Sequence, residues 1–169
     1  MEPFNFFRSM KKITLLIATL FAVSLIITGC DRNEPTPEPT PQTYTVVYKI
    51  DNHVVLDEDL VMSPCLKMNV TYTDANGQLV TENNVTLPWS KSVDTKLPFH
   101  AKMTGTITYN EEELPATVVY GLVHGIGLLV NGEGDVPLKG NMKTSSKENF
   151  LTLASTHPEY LQFTEEKDF

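Results

Sequence analysis

"FHAKMTGTITYN", residues 99–110, decides the fold. Phe99, Ala101, Met103, Ile107 and Tyr109 fall on one side of a two-residue repeat, and His100, Lys102, Thr104, Thr106 and Thr108 on the other. Only an extended chain turns such a repeat into one apolar and one polar face, because strand side chains point alternately to opposite sides. The stretch therefore predicts an antiparallel strand with one face in a core. The same repeat recurs upstream. "YTVVYKI" (44–50) aligns Tyr44, Val46, Tyr48 and Ile50, and "LKMNVTYT" (66–73) aligns Leu66, Met68, Val70 and Tyr72. "DANG" (74–77) then reads as a hairpin turn, with Gly77 free to take positive φ, and a return strand runs from Gln78 to Leu87. Downstream, a turn at Glu111–Glu113 leads into "ELPATVVYGLVHGIGLLVN" (113–131). The second half of that run is apolar on both faces and rich in glycine. It fits a bending central strand, or a strand followed by a short hairpin around Gly125–Gly127.

About seven short strands with regular turns predict an all-β protein, a small antiparallel, immunoglobulin-like β-sandwich over residues 44–139. Residues 140–169 lose the rhythm. Phe150, Leu151, Ala154 and Leu161 stand at helical spacings, Ser146 is a candidate N-cap, and Pro158 suits the start of a short helix or turn. A helical or irregular tail is expected there.

The N-terminal segment has a different composition. "MKKITLLIATLFAVSLIITG" (10–29) has Lys11 and Lys12 ahead of an apolar stretch, Ile13 to Ile27, that is short for a spanning helix. Met10 is an alternative start. The stretch ends in Ile27, Thr28, Gly29 and Cys30, which resembles the lipobox of bacterial lipoproteins. That resemblance implies a signal peptide over 1–29, formed as a helix, cleavage before Cys30, and lipid attached to Cys30. "DRNEPTPEPTPQT" (31–43) follows, with Pro35, Pro37, Pro39 and Pro41 at alternate positions. Such a segment favours extended polyproline geometry, and thirteen residues at about 3 Å each would make a stalk of roughly 40 Å. The expected location is the bacterial cell envelope, anchored to the membrane by lipid, on the periplasmic or surface face of the outer membrane. Asp31 after the lipid cysteine is an inner-membrane retention cue in some bacteria.

Without residues 1–29 the chain keeps 10 Lys and Arg against 20 Asp and Glu, a net charge of −10. An acidic surface repels phosphates, which argues against nucleic acid as a partner. With Cys30 lipidated, Cys65 has no partner for an internal disulfide, and its place between Pro64 and Leu66 suits a buried, inert thiol. A core must then hold the domain together, and 126 residues from Tyr44 onward suffice for one.

Chemistry-bearing patterns are sparse. His53, His100, His124 and His157 lie on four separate segments without ligand spacing, and no Ser/His/Asp or Cys/His arrangement emerges. Asp57, Glu58 and Asp59 offer weak calcium ligands but lack an EF-hand spacing and read as a solvated turn, and residues 131–135 ("NGEGD") as a turn rather than a phosphate loop. No catalytic residue, metal site or cofactor is expected.

One short stretch is informative. In "NNVTLPWS" (83–90) a strand meets Pro88, and the chain's one tryptophan follows. Proline cannot donate to a ladder, so it ends pairing and lets the chain change sheets. An indole placed there would plug the open end of the sandwich, with Ser90 bonding backbone at the crossing. The alternative is an exposed Trp89 that stacks on a ligand or partner. The wider stretch "VTYTDANGQLVTENNVTLPWSKSV" (70–93) resembles the core of the MmpS-type family, the membrane-anchored accessory proteins of mycobacterial transporters, and small lipoproteins of Bacteroidetes-type bacteria carry a similar pattern. The resemblance is carried by Tyr72, Asp74 and Gly77 in the hairpin, then Val85, Leu87, Pro88, Trp89 and Ser90. It implies a small β-sandwich and, more distantly, a transport-accessory role beside an envelope protein or transporter. The lipobox, the stalk and the C-terminal tail depart from that family.

The function expected from the sequence is therefore a lipid-anchored, non-catalytic binding or transport-accessory module. Asp74, Glu111, Glu112 and Glu113 are the candidate contacts for a partner. A structural or fimbrial-type surface subunit is the alternative, although maturation of fimbrial lipoproteins cuts after an arginine beyond the first strands, and the only arginines here are Arg8 and Arg32. A secreted hydrolase is a third class, lacking a visible nucleophile.

Overall fold

Two four-stranded antiparallel sheets pack face to face, as the alternation requires. The structure, a computed structural model, describes residues 41–54 and 60–169. The signal segment with its expected helix, the lipobox, Cys30, most of the stalk and Asp57–Asp59 lie outside those residues. The strands are β1 (Tyr44–Asp51), β2 (His53–Val54), β3 (Leu60–Val61), β4 (Lys67–Thr73), β5 (Leu79–Val85), β6 (Trp89–Thr95), β7 (His100–Thr108), β8 (Thr117–Val130), β9 (Lys139–Ser146) and β10 (Gln162–Asp168). The first sheet runs β6-β1-β8-β9 and the second β10-β7-β4-β5, while β2 and β3 form a separate small pair.

The buried sets match the repeats. Val46, Tyr48 and Ile50 from β1 meet Met68, Val70 and Tyr72 from β4 and Ala101, Met103 and Ile107 from β7. The Tyr48 hydroxyl donates to the Thr73 carbonyl at 2.9 Å, and burial pushes its pKa up to about 12. Tyr109, one residue past β7, leaves the repeat: it is partly exposed and meets Phe150 edge-on at 5.1 Å.

The glycine-rich run is one continuous strand rather than two. β8 pairs with β9 over Thr117–His124 and with β1 over Val123–Val130. Gly125 and Gly127 have a packing reason: a Cβ on either would meet the carbonyl of Pro137 or Asp135, at 2.2 and 2.5 Å. The chain after the Asn131–Gly134 turn therefore lies back across β8, where only glycine leaves room.

The tail is partly helical, and it also completes both sheets. The helix α1 (Lys147–Thr156) starts at Ser146, whose hydroxyl accepts from the Asn149 N–H, as the N-cap reading required. A 3-10 turn, Pro158–Leu161, then feeds β10 onto the edge of β7. The sandwich thus extends to Asp168 and is not closed at residue 139.

Candidate functional site

The register fixes two ends. Tyr44 pairs with Thr95 and Val130, while Thr73 pairs with Leu79 and Tyr72 with Met103. The Asp74–Gly77 hairpin, the end of β6 and the start of β7 therefore share one end. Between them lies an open groove of about 810 Å³. Ala75, Asn76 and Gly77 form one wall, Asp94, Thr95 and Lys96 the other, with Pro98, Phe99, His100 and Lys102 beneath.

The charged groups at the groove are mostly paired. His100 Nδ1 lies 2.6 Å from Asp168 Oδ1, Lys102 Nζ donates to Glu166 Oε1 at 2.6 Å, and the Thr45 hydroxyl donates to Asp94 at 2.7 Å. The Lys102 ammonium holds the Glu166 carboxyl below the usual range. What remains is Lys96 and a mixed wall of backbone, amide and apolar surface.

Asp74 is a turn residue here. One carboxylate oxygen accepts from the Asn76 and Gln78 N–H groups at 2.9 and 2.8 Å, and the Gln78 bond leads in pulling its pKa down. Gly77 has φ +76°, as the hairpin reading required. Glu111, Glu112 and Glu113 form an exposed 3-10 turn capped by Asn110, at the opposite end of the sandwich beyond Thr108. Thr108 pairs with Lys67 and Met103 with Tyr72, so the two candidate contact regions are separated by the length of β4, roughly 20 Å. They do not form one surface.

Trp89 opens β6 opposite Ile50 and is only 8% exposed. Leu87 and Pro88 are the crossing from the second sheet to the first, and the Leu87–Pro88 peptide is cis. The Trp89 indole packs on Tyr72 at 5.7 Å, and its Nε1–H donates to Glu82 Oε2 at 2.9 Å. Its place is the long side between the edge strands β5 and β6 rather than an open end of the sandwich, because its N–H reaches Glu82 within β5. Ser90 is exposed on β6, opposite Lys49. The acceptor at the crossing is Glu82, which the sequence reading did not single out.

Each of the four histidines faces one carboxylate. His53 meets Asp51 at 2.7 Å, His157 meets Glu159 at 3.0 Å, and His100 and His124 meet Asp168 and Glu165 at 2.6 Å. No cluster of three or more His, Cys, Asp or Glu suited to a metal occurs among the described residues. Cys65 is half-buried beside the core. No helix of the described residues is long and apolar enough to cross a membrane.

His124 is the most enclosed of these. Period two places it on the inner face of β8 with Tyr120 and Ile126, which is the signal that could have found it. Its partner Glu165 sits 41 residues on, in the stretch read as helical or irregular. No protein-family model matches the chain, and no curated protein matches it.

Proposed function

We propose that this chain is a lipid-anchored protein of the bacterial cell envelope that works as a non-catalytic binding module, in the manner of a transport-accessory protein. The observation that carries the reading is the groove of about 810 Å³ at the hairpin end, whose charges are largely neutralised by partners within the fold. Recognition concentrates on loops held at the end of a rigid sandwich, and this groove is walled by such loops. The chain enters the domain at the same end: the Thr43 N–H donates to the Asn131 side chain and the Asn131 N–H to the Thr43 carbonyl. Support for the anchor comes from Ile27, Thr28, Gly29 and Cys30 in the sequence, and support for the accessory role from the 70–93 resemblance.

The test uses the full-length chain expressed in a bacterial host. Acyl labelling of the wild type and its loss in Cys30→Ala are expected, together with release of the variant from membranes. Capture from detergent-solubilised envelopes then separates the two ends. Ala75→Trp, which fills the groove from an exposed wall, should abolish retention of the bound species, and Glu111, Glu112 and Glu113→Gln should leave it. Equal retention by the wild type and Ala75→Trp would remove the groove from the reading. Turnover of an ester, glycan or peptide, lost on a single His or Asp substitution, would overturn the non-catalytic reading.

A further inference from the structure

Strand β10 meets the first sheet with mostly polar side chains. Its inward residues are Phe163, Glu165 and Lys167, each less exposed than the outward residues between them. Phe163 stacks flat on the His124 ring at 3.8 Å, with 8° between planes. A Cβ on Gly105 would lie 2.3 Å from that phenyl, so glycine on β7 makes the space the ring occupies. Glu165 reaches across to His124 Nδ1 at 2.6 Å and to Lys139 Nζ at 3.2 Å, and Lys167 donates to the Ile126 carbonyl at 3.3 Å. Contact between this edge strand and the opposite sheet thus centres on the His124–Glu165 pair, with Lys139 and the Lys167–Ile126 bond beside it.

We propose that His124 and Glu165 form a proton-released latch: protonation of the imidazole loosens β10 from the first sheet, opens that long side of the sandwich and frees the ladder edge of β7. The charges around His124 set the direction. Glu165 from β10 and Lys139 from β9 are the charged groups facing it, while β1 presents Ile50 and β7 presents Met103 beside Glu165. A neutral imidazole with its proton on Nδ1 already donates to Glu165, whose single negative charge Lys139 already balances. A second proton places two cations on one carboxylate, at side chains only 9% and 12% exposed. Burial, the largest influence, lowers the pKa of His124 against the opposing pull of Glu165. A histidine depressed in the docked state stabilises docking above its ordinary value of about 6.5, and that stabilisation is lost as pH falls through this value toward the depressed one. The latch does not depend on what the groove binds.

The test is amide hydrogen exchange on the full-length chain in detergent, at about pH 7.5 and about pH 5.5, corrected for intrinsic rates. Protection of the β10 amides should fall roughly tenfold relative to those of β4, which report the rest of the second sheet. In His124→Gln, which keeps a donor for Glu165 and cannot titrate, the fall should vanish. A fall that persists in His124→Gln, or an unchanged β10 in the wild type, overturns the proposal. Should the variant fail to fold, the wild-type imidazole titration decides: a His124 midpoint at or above the ordinary value sinks the latch, and a lower midpoint that tracks β10 protection upholds it.

Discussion

The two long sides of the sandwich are each closed by a glutamate lying between the sheets, and the glutamates have different partners. On one side Glu82 of β5 accepts from Trp89 Nε1 at 2.9 Å, Lys91 Nζ at 3.0 Å and the Tyr72 hydroxyl at 3.3 Å. Behind it the rings of Trp89, Tyr72 and Tyr48 follow one another at 5.7 and 5.5 Å, so an aromatic core backs the polar seam. On the other side Glu165 of β10 meets His124 and Lys139, with one phenyl, Phe163, beside them. Indole stays neutral at any ordinary pH, whereas imidazole changes charge near neutrality. Similar architecture thus gives one seam that only strong acid disturbs and another poised to respond to mild acid.

The largest expected effect comes from removing the aromatic backing. Trp89→Ala deletes a ring that is almost wholly buried, contacts Tyr72 and occupies the start of an edge strand. Loss of a large buried aromatic costs about 3–5 kcal/mol, so urea unfolding followed by far-UV circular dichroism should show a drop in this range. A drop below about 1 kcal/mol would mean that the polar bonds, rather than the ring, hold this side.

A smaller effect separates charge from packing on the same side. The Trp89 indole N–H, then the Lys91 ammonium, hold the Glu82 carboxyl below the usual range. A carboxyl depressed in the folded state adds stability above its ordinary value of about 4.3, and that stability is lost as pH falls through this value toward the depressed one. Glu82→Gln keeps an acceptor for the indole and removes the charge. It should cost about 1 kcal/mol near neutral pH and less at about pH 3, where the wild type has begun to lose the same charge. Urea midpoints of the two proteins at both pH values check this; a gap that does not narrow in acid would show that Glu82 acts through shape alone.

The difference between the sides also explains what could be read from the sequence. The aromatic side was largely legible. Val70, Tyr72 and Trp89 announce themselves by apolar alternation and by a proline at the sheet crossing, and Pro88 lies where the chain changes sheets. Its polar closure was not, because Glu82 looks like any solvent-facing position on a strand of mixed polarity. The histidine side was nearly invisible. "QFTEEKD" turns Phe163, Glu165 and Lys167 inward, so its alternation is one of bond partners rather than of hydrophobicity. In β9 only Met142 is buried, which leaves no repeat to find. Pairing of β10 to β7 joins residues about sixty apart, and the intervening helix dominates the local pattern. The hairpin-end groove was half legible: Gly77 and Asp74 marked its tip and the 99–110 repeat supplied Phe99 and His100, while Lys96 and Pro98 enter through a sheet crossing that no periodicity reports.

The finest distinction uses the two lysines. Lys91 and Lys139 each pair with the glutamate of their own side and are 42% and 64% exposed, so each pair belongs to the class of surface ion pairs worth about 0–1 kcal/mol. Lys91→Met and Lys139→Met should therefore change stability near neutral pH by similar, small amounts. Their pH behaviour should differ. Among the described residues no imidazole lies beside Lys91, and its own cation–aromatic contact with Tyr72, at 5.4 Å, is insensitive to mild acid. Lys139 faces the carboxylate that His124 also faces, and its positive charge disfavours a proton on the ring. Its removal leaves Glu165 with an unbalanced charge that a protonated His124 can satisfy. The His124 midpoint should then rise in Lys139→Met, toward or past the ordinary value, and stay where it is in Lys91→Met. Imidazole titration by NMR on both variants reads this directly. Equal midpoints would mean that Lys139 is too well hydrated to influence the ring, and that desolvation and Glu165 set its charge without it.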